Sequence, residues 1–247
     1  MDPADRVILV TGAASGIGLA TAVRLAPTCS RLVLVDRDVA ALSRVDLPCP
    51  LDRLSGDVAD EAFWRSAAPR LAGLTAAVIN AGVVGAERVD AMSFAEWRHI
   101  MASNLDGAFL TLRAAVRAIS GAGAIVAVAS ATALAAQART SAYAASKAAV
   151  IQLVRVAAQE NAARGLRINA IAPGAVDTPL WDGLPAFSDR ASAVGRSAAM
   201  AERAAVSTPL ARFAAASEVA EQIAFLLSDA AAFMTGSVMT CDGGYSL

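Results

Sequence analysis

The stretch Thr11-Gly12-Ala13-Ala14-Ser15-Gly16-Ile17-Gly18 joins an apolar run at residues 7–10 to a segment with helical spacing at 17–25. A short apolar run rich in β-branched residues predicts a buried strand, and apolar residues three and four apart predict a helix. Small residues at such a junction let backbone amides approach a pyrophosphate at the positive end of the helix. The stretch therefore predicts a strand, a phosphate-binding loop and a helix. Taken alone, it also fits a tight turn with close helix–strand packing.

The same alternation of strand and helix recurs along the chain. Strands are predicted at 32–35, 76–79, 125–128, 168–171 and 238–241, and helices from 39, around 95–120, after 140 and over 218–227. Unbroken apolar strands between helices are typical of a parallel sheet covered on both faces. No linker divides the chain, so we expect one α/β domain over residues 1–247, a doubly wound parallel sheet with helices on both faces. The segment 173–209 is expected to be irregular, as a lid or a loop.

Charge and cysteine content exclude several classes of protein. Lys plus Arg number 21 and Asp plus Glu 22, which gives a net charge of -1, so no global field attracts nucleic acid or an anionic membrane. Three scattered cysteines, Cys29, Cys49 and Cys241, form no disulfide framework and no C-x-x-C site. His99 is the single histidine, which excludes a Ser-His-Asp triad and multi-histidine metal sites. We expect no metal.

Two further features bear on location. The charge-free stretch 118–138 contains polar residues and glycines, and is interpreted as a turn, a buried strand and a loop rather than a membrane span. Asp2 and Asp5 precede the first apolar run where a secretion signal would have basic residues. We therefore expect a cytoplasmic protein in a reducing compartment.

An acidic residue follows the second predicted strand. Asp36 lies 18 residues after Gly18, close to where dinucleotide-binding folds place the acid that binds the adenine ribose hydroxyls. A 2'-phosphate would meet a like charge there, at a cost of about 4 kcal/mol for unit charges about 4 Å apart and an effective dielectric constant of about 20. Asp36 therefore favours NAD, and the neighbouring Arg37 would offset part of the repulsion. A solvated turn after a strand is the alternative.

Tyr143 and Lys147 are four residues apart in a predicted helix and therefore share one face. A phenol has an ordinary pKa near 10, and a nearby ammonium lowers that pKa by stabilising the phenolate. The pair thus predicts a proton-transfer site in which Lys147 lowers the pKa of Tyr143. An amphipathic helix with one aromatic anchor and one snorkelling lysine fits the same spacing.

Together these residues resemble the short-chain dehydrogenase/reductase family in its compact, NAD-dependent single-domain form. The resemblance covers nearly the whole chain and implies a Rossmann-type fold, and the G-x-x-x-G-x-G spacing is the family's own form of the glycine loop. It rests on the loop 11–18, Asp36, Asp57, Asn80-Ala81-Gly82, Asn104, Ser130, Tyr143, Lys147, Pro173-Gly174, Thr178 and Asp242-Gly243-Gly244. Ile79 departs from the family, which usually has asparagine there.

The resemblance implies a catalytic set of four residues. Ser130 is expected to hydrogen-bond the substrate oxygen while Tyr143 exchanges its proton, and Lys147 to bind the nicotinamide ribose as well. Asn104 is expected to fix a water that links Lys147 to solvent. The residues expected to bind NAD are Gly12, Ser15, Gly16, Ile17, Gly18, Asp36, Asp57, Val58, Asn80, Ala81, Gly82, Tyr143, Lys147, Pro173, Gly174, Val176 and Thr178.

The resemblance also places a substrate lid at about 178–212. The substrate site is expected to be lined by Ala131, Thr132, Gln137, Ala175, Val176, Leu180 and Trp181. This mostly apolar set suits an uncharged secondary alcohol or ketone. The arginines on or beside the lid have two interpretations: they bind an acidic group of the substrate, or they belong to a solvated helix face. These arginines are Arg190, Arg196, Arg203 and Arg212.

The helix predicted at about 142–163 is apolar around much of its circumference. The family forms dimers and tetramers through this helix and its neighbour, so we expect a homotetramer, with no nucleic-acid or membrane partner. The chain is expected to be an NAD(H)-dependent oxidoreductase that interconverts a secondary alcohol and a ketone. An NADPH-dependent 3-oxoacyl thioester reductase and a non-catalytic NAD-binding regulatory protein are the alternatives.

Overall fold

A parallel sheet lies at the centre of the computed structural model, which describes residues 6–247. The strands in this range are β1 (Val7–Thr11), β2 (Arg31–Asp36), β3 (Leu51–Ser55), β4 (Leu74–Ile79), β5 (Gly123–Val128), β6 (Leu166–Pro173), β7 (Val176–Asp177), β8 (Ala214–Ala215) and β9 (Val238–Cys241). Seven of them pair in the order β3-β2-β1-β4-β5-β6-β9, and all of these pairs are parallel. The short strands β7 and β8 pair with each other.

Helices cover both faces of the sheet. Those described are α1 (Gly16–Leu25), α2 (Val39–Ser43), α3 (Glu61–Ala67), α4 (Phe94–Met101), α5 (Gly107–Ala118), α6 (Ser141–Asn161), α7 (Pro185–Val194), α8 (Arg196–Ser207) and α9 (Ala216–Leu227). Alternate residues of a strand point to opposite faces, so Leu9 of β1 packs with α3, α5 and α6, while Ile8 and Val10 pack with α1, α2 and α9. This confirms the expected doubly wound, Rossmann-type sheet of a single domain.

The strand order reverses at β1, which lies between β2 and β4. Open parallel sheets bind ligands outside the carboxyl ends of the strands at such a reversal. The loops after Thr11, Asp36 and Ile79 therefore meet at one edge of the sheet.

Apart from the lid helices described below, no range was predicted for β3, α3, β7 and β8. β3 is an edge strand whose residues Asp52 and Arg53 are polar, so it lacks an apolar run. Asp52 instead forms ion pairs with Arg31 and Arg70. The helix predicted around 95–120 is also divided, since a π-helical turn at Ala102–Asp106 separates α4 from α5.

The prediction of an irregular segment at 173–209 is wrong, because most of it is helical. Pro185 begins α7, Gly195 separates α7 from α8, and α8 continues to Ser207. Proline is favoured at the first helical position and glycine tolerates the left-handed backbone (φ of 86°) between the helices. Asp2 and Asp5, used above to argue against a secretion signal, lie outside the described residues. Over residues 6–247, no helix combines the length and apolar character needed to cross a membrane.

Candidate active site

A cavity of about 1150 Å³ lies along the carboxyl edge of the sheet. Its wall includes residues that follow five neighbouring strands, and these are Gly12, Asp38, Asn80, Ser130 and Gly174. A cavity is expected at this position, because a reversal of strand order leaves a crevice at the carboxyl ends of the strands. Its wall extends from the loop after β2 to the helices α7 and α8.

The glycine loop forms one end of this cavity. Gly12 and Gly16 have φ angles of 65° and 52°, which L side chains rarely adopt. A Cβ at Gly18 would lie 2.0 Å from the Gly12 carbonyl oxygen, so Gly18 allows α1 to start directly against β1. The first turn of α1 contains no acidic residue. The loop therefore presents the positive end of a helix to the cavity.

Asp36 is held at the cavity edge by two backbone amides. Its Oδ2 accepts a hydrogen bond from the Ala14 amide at 2.9 Å, and its Oδ1 accepts one from the Asp38 amide at 3.0 Å. The carboxylate is thus fixed between the glycine loop and the β2 end. A rigid anion at this position repels a second anion and accepts hydrogen bonds from hydroxyl groups.

The turn after β4 is fastened to the glycine loop. Asn80 Nδ2 donates to the Thr11 carbonyl at 3.0 Å, and the amides of Asn80 and Ala81 donate to Thr11 Oγ1 at 3.0 and 3.2 Å. These hydrogen bonds hold the turn after β4 against the end of β1. The turn therefore keeps its position although Ile79 replaces the family's usual asparagine.

Asn104 lies in the π-helical turn and is almost fully buried. Its Oδ1 accepts a hydrogen bond from the Val83 amide at 2.8 Å, while its Nδ2 donates to the Val83 carbonyl at 2.9 Å and to Ser146 Oγ at 3.1 Å. A Cβ built on Gly82 would lie 2.9 Å from Asn104 Oδ1 and 3.4 Å from Lys147 Nζ. The Asn104 side chain therefore packs against Gly82, next to Lys147. Its expected role in fixing a water stays a prediction.

Ser130, Tyr143 and Lys147 line the same cavity. Lys147 Nζ lies 5.9 Å from the centre of the Tyr143 ring and donates to the Val128 carbonyl at 2.9 Å. Ser130 follows β5, where its Oγ accepts a hydrogen bond from the Thr132 amide at 3.2 Å. The β5 end and one face of α6 thus bring the three side chains together.

The electrostatics of this group differ from the sequence-based expectation. Burial raises the pKa of the Tyr143 phenol, and a hydrogen bond with Ser130 opposes this shift. Burial also lowers the pKa of Lys147 to about 8. The net shift at Tyr143 is therefore upward, because desolvation of the phenolate outweighs the hydrogen bond with Ser130, and the effect expected of Lys147 stays a prediction.

The segment 178–212, which is predicted to be a substrate lid and is called the lid here, forms the other end of the cavity. Trp181 Nε1 donates to the Val176 carbonyl at 2.9 Å, and the Trp181 ring lies 5.6 Å from the Phe187 ring and 4.9 Å from the Phe213 ring, between centres. Thr178 contacts the glycine loop, since a Cβ at Gly16 would lie 3.2 Å from its side chain. The lid is thus anchored to both the glycine loop and its own aromatic cluster.

Nearly all predicted site residues meet in this one cavity, and the predicted substrate lining is there in full. Two predicted residues, Gly18 and Asn104, are not part of its wall. Gly18 lies behind the loop, where it serves helix–strand packing, and Asn104 lies behind Gly82. Both support the wall without lining it.

Sequence analysis missed Tyr245, which also lines the cavity. Its hydroxyl donates to Gln137 Oε1 at 3.0 Å, across 108 residues of sequence. Gly243 and Gly244 have φ angles of 60° and 89°, and this turn brings Tyr245 back toward the sheet. The Asp242-Gly243-Gly244 motif marked the turn, but no local pattern indicated which residue it delivers.

Comparisons with known proteins agree with this geometry. A family model described as enoyl-(acyl carrier protein) reductase matches residues 12–246. The cis-4-hydroxycyclohexanecarboxylate dehydrogenase of Sinomonas cyclohexanicum is 42% identical, over 98% of this chain and 97% of its own. Galactitol 2-dehydrogenase of Cereibacter sphaeroides is 38% identical, over 96% of this chain and 94% of its own.

Solved structures show the same similarity. The crystal structure of levodione reductase superposes with a TM-score of 0.86 at 35% identity, covering 98% of each chain. L-sorbose reductase from Gluconobacter frateurii, solved with NADPH and L-sorbose, has a TM-score of 0.91 at 26% identity, covering 98% of this chain and 96% of its own. The chain is thus an enzyme that uses a nicotinamide cofactor to interconvert a secondary alcohol and a ketone, and it belongs to the short-chain dehydrogenase/reductase family.

Proposed function

We propose that NAD is the cofactor and that Tyr143, Ser130 and Lys147 carry the proton-transfer chemistry. The observation that supports NAD is the Asp36 carboxylate, which two backbone amides hold at the end of the cavity. A 2'-phosphate at this end would meet that charge, whereas the two ribose hydroxyls of NAD would donate hydrogen bonds to it. The exposed Arg37 lies beside Asp36 on the cavity wall and is the group that would weaken this preference.

The residues along the cavity fit a dinucleotide. The positively charged end of α1 would hold the diphosphate, with small residues at Gly12 and Gly16 keeping the approach open. Asp57 and Val58 would border the adenine, and Asn80 to Gly82 the adjacent ribose. Pro173, Gly174, Val176 and Thr178 would border the nicotinamide, and they are on the wall of the same cavity.

Bound there, the nicotinamide supplies a hydride acceptor or donor for the substrate carbon. Ser130 would hold the substrate oxygen by a hydrogen bond, and Tyr143 would exchange a proton with the same oxygen. Lys147, fixed by the Val128 carbonyl, would place its ammonium near the nicotinamide ribose. By holding the cofactor, the substrate and Tyr143 next to one another, the site would make the reaction effectively unimolecular.

The protonation state of Tyr143 suits ketone reduction. Because burial raises the pKa of its phenol, Tyr143 keeps its proton near neutral pH and can donate it to a carbonyl oxygen. Alcohol oxidation requires the phenolate, and the reaction is reversible. We therefore propose that both directions run in this site, with oxidation favoured by rising pH.

The substrate class is a secondary alcohol or ketone of small, largely apolar skeleton. Ala131, Leu180, Trp181 and Phe187 provide apolar walls beside Ser130. The relative from Sinomonas acts on a ring alcohol, and the relative from Cereibacter on a polyol. Ring alcohols such as 4-hydroxycyclohexanecarboxylate and cyclohexanol, with galactitol as a polyol, form the first test set.

The proposal is tested by turnover. Purified protein is assayed with NAD and with NADP on this alcohol set, with nicotinamide absorbance as the signal. Tyr143→Phe removes the proton carrier and leaves the ring, so it should lower kcat by about 100- to 10,000-fold, the usual share of general acid–base catalysis. Unchanged product formation by Tyr143→Phe would overturn the assignment, and a protein that binds NADH but turns over no substrate would favour the non-catalytic alternative.

We also propose a cytoplasmic homotetramer with a substrate lid at 178–212. The three cysteines are free thiols, which suits a reducing compartment. Much of the apolar surface of α6 is used within the protomer, since Val150, Ile151 and Val154 are buried against the sheet. The support for an interface therefore comes from two apolar side chains that remain exposed, Val156 at 44% and Phe109 at 45%. Light scattering that gives a monomer at micromolar concentration would count against the tetramer.

A further inference from the structure

Arg203 differs from the other arginines on or beside the lid. The others each have a carboxylate partner: Arg190 with Glu202, Arg196 with Asp177 and Arg212 with Glu218, at N–O distances of 2.7, 2.6 and 2.7 Å. Arg203 is half-buried on α8 and lines the cavity, yet it forms no salt bridge within residues 6–247. An arginine that lines a cavity without a carboxylate partner leaves its guanidinium donors available to an anion.

Three charged side chains of α7 and α8 line the cavity, and one of them is a positive charge without a carboxylate partner in residues 6–247. Glu202 pairs with Arg190 at 2.7 Å, just as Glu87 pairs with Arg139 at 3.4 Å elsewhere on the wall. Arg203 remains after these pairs are formed. A cavity end with this balance favours a ligand group that carries one negative charge.

A second donor faces the same region. Because the Tyr245 hydroxyl donates to Gln137 Oε1 at 3.0 Å, the amide of Gln137 is held with its nitrogen free to donate. Among the described residues, no acceptor is bonded to this Nε2. The positive charge of Arg203 also lies close enough to Tyr245 to oppose the rise that burial gives to its pKa. Arg203, Tyr245 and Gln137 thus all line this cavity, and Tyr245 joins Gln137 by a hydrogen bond.

We infer that Arg203 and Gln137 bind a carboxylate on the substrate, so that the substrate is a hydroxy acid or oxo acid rather than an uncharged alcohol. Arg203 would supply a charged fork for the two carboxylate oxygens, and the Gln137 amide one further hydrogen bond. The apolar walls would then contact the carbon skeleton between the carboxylate and the reacting carbon. This inference rests on the proposed function, since it takes the cavity to be the substrate site.

The experiment measures binding without turnover. Cyclohexanecarboxylate and cyclohexanecarboxamide have the same shape, lack a hydroxyl group and differ in charge, so neither can be oxidised at the alcohol position. Each is titrated calorimetrically into the full-length protein, with and without saturating NADH. We expect the carboxylate to bind at least about tenfold more tightly than the amide, the usual gain from a charged hydrogen bond.

Variants assign this charge preference to one side chain. Arg203→Met keeps an unbranched apolar stem and removes the guanidinium and its charge, and should abolish the preference while leaving amide affinity unchanged. Arg203→Lys should retain part of it, because an ammonium attracts a carboxylate without the bidentate geometry. Arg212→Met is the matched control, since Arg212 also lies at the lid but is not on the cavity wall, and it should keep the full preference.

Three results would overturn the inference: equal affinity of the wild-type protein for carboxylate and amide, a full preference in Arg203→Met, or a loss as large in Arg212→Met. If Arg203→Met fails to fold, the wild-type ratio and Arg203→Lys decide. Failure of the proposed function is distinguishable, because it leaves the charge preference intact while no alcohol is oxidised. Failure of the inference alone leaves an active enzyme that does not distinguish the acid from the amide.

Discussion

The two ends of the cavity are built in different ways. At the glycine-loop end, the wall is held by close backbone packing at Gly12 and Gly18 and by the hydrogen bond from the Asn80 side chain to the Thr11 carbonyl. At the lid end, exposed ion pairs such as Arg196 with Asp177 and the aromatic cluster around Trp181 hold it. Backbone packing tolerates no added atom, whereas surface ion pairs contribute little each.

This difference explains how one fold accommodates many substrates. Under the proposed function, the glycine-loop end would meet the cofactor, a group that does not vary, so it can be rigid and built from the main chain. The lid end would meet the part of the substrate that does vary, and its side chains can be exchanged at low cost in stability. The predictions below test this contrast, starting with the largest expected effect.

Gly18→Ala is expected to lower the free energy of unfolding by about 3 kcal/mol or more, at the upper end for overpacked cores. Its Cβ would lie 2.0 Å from the Gly12 carbonyl oxygen, and main-chain atoms cannot move aside. Gly183→Ala is the control at the lid, because a Cβ there meets nothing within 4 Å. Urea denaturation of both variants measures the difference, and equal losses would contradict the contrast.

Asp36→Ala is expected to shift the ratio of kcat/KM for NAD over NADP by about a hundredfold toward NADP, less than the full Coulomb cost because solvent screens it. The variant removes the fixed carboxylate and leaves the glycine loop in place. Arg37→Ala is the companion variant and should shift the ratio the other way, since it removes the compensating charge. A ratio unchanged in Asp36→Ala would show that the acid does not read the ribose.

Lys147 is expected to make stability depend on alkaline pH. Its folded-state pKa is about 8, below the ordinary value near 10.4, so the unfolded chain binds more protons between these values. Stability contributed by Lys147 therefore rises with pH in this window. Between about pH 7.5 and 9.5 the free energy of unfolding of the wild-type protein should rise by on the order of 2 kcal/mol relative to that of Lys147→Met, as measured by urea denaturation. Parallel curves would show that the ammonium is not desolvated.

Arg196→Met is expected to have the smallest effect. It should lower the free energy of unfolding by less than about 1 kcal/mol, because the ion pairs of Arg196 with Asp177 and Asp182 are exposed. Thermal denaturation at low and high salt should show that this small loss disappears as salt screens the pairs. A loss as large as that of Gly18→Ala would mean that the lid is as rigid as the glycine-loop end.

Features that depend on short sequence distances could be predicted. The glycine loop, Asp36 and the Tyr143–Lys147 pair each follow from the period of one strand or helix, and the predicted strands have close counterparts in the sheet. The edge strand β3 was not named, because Asp52 and Arg53 interrupt its apolar pattern. The lid helices were missed although Pro185 and Gly195 mark their ends.

The sequence by itself predicted the order of strands and helices from its periodic apolar runs, and it predicted the reaction class through the resemblance of its motifs to the short-chain dehydrogenase/reductase family; both depend on local patterns. Only the tertiary structure decided that burial raises the pKa of Tyr143 and that Arg203 is left without a salt bridge over residues 6–247. It also decided that Tyr245 reaches Gln137. Desolvation and charge pairing depend on which distant segments become neighbours, and that is set by the order of strands in the sheet.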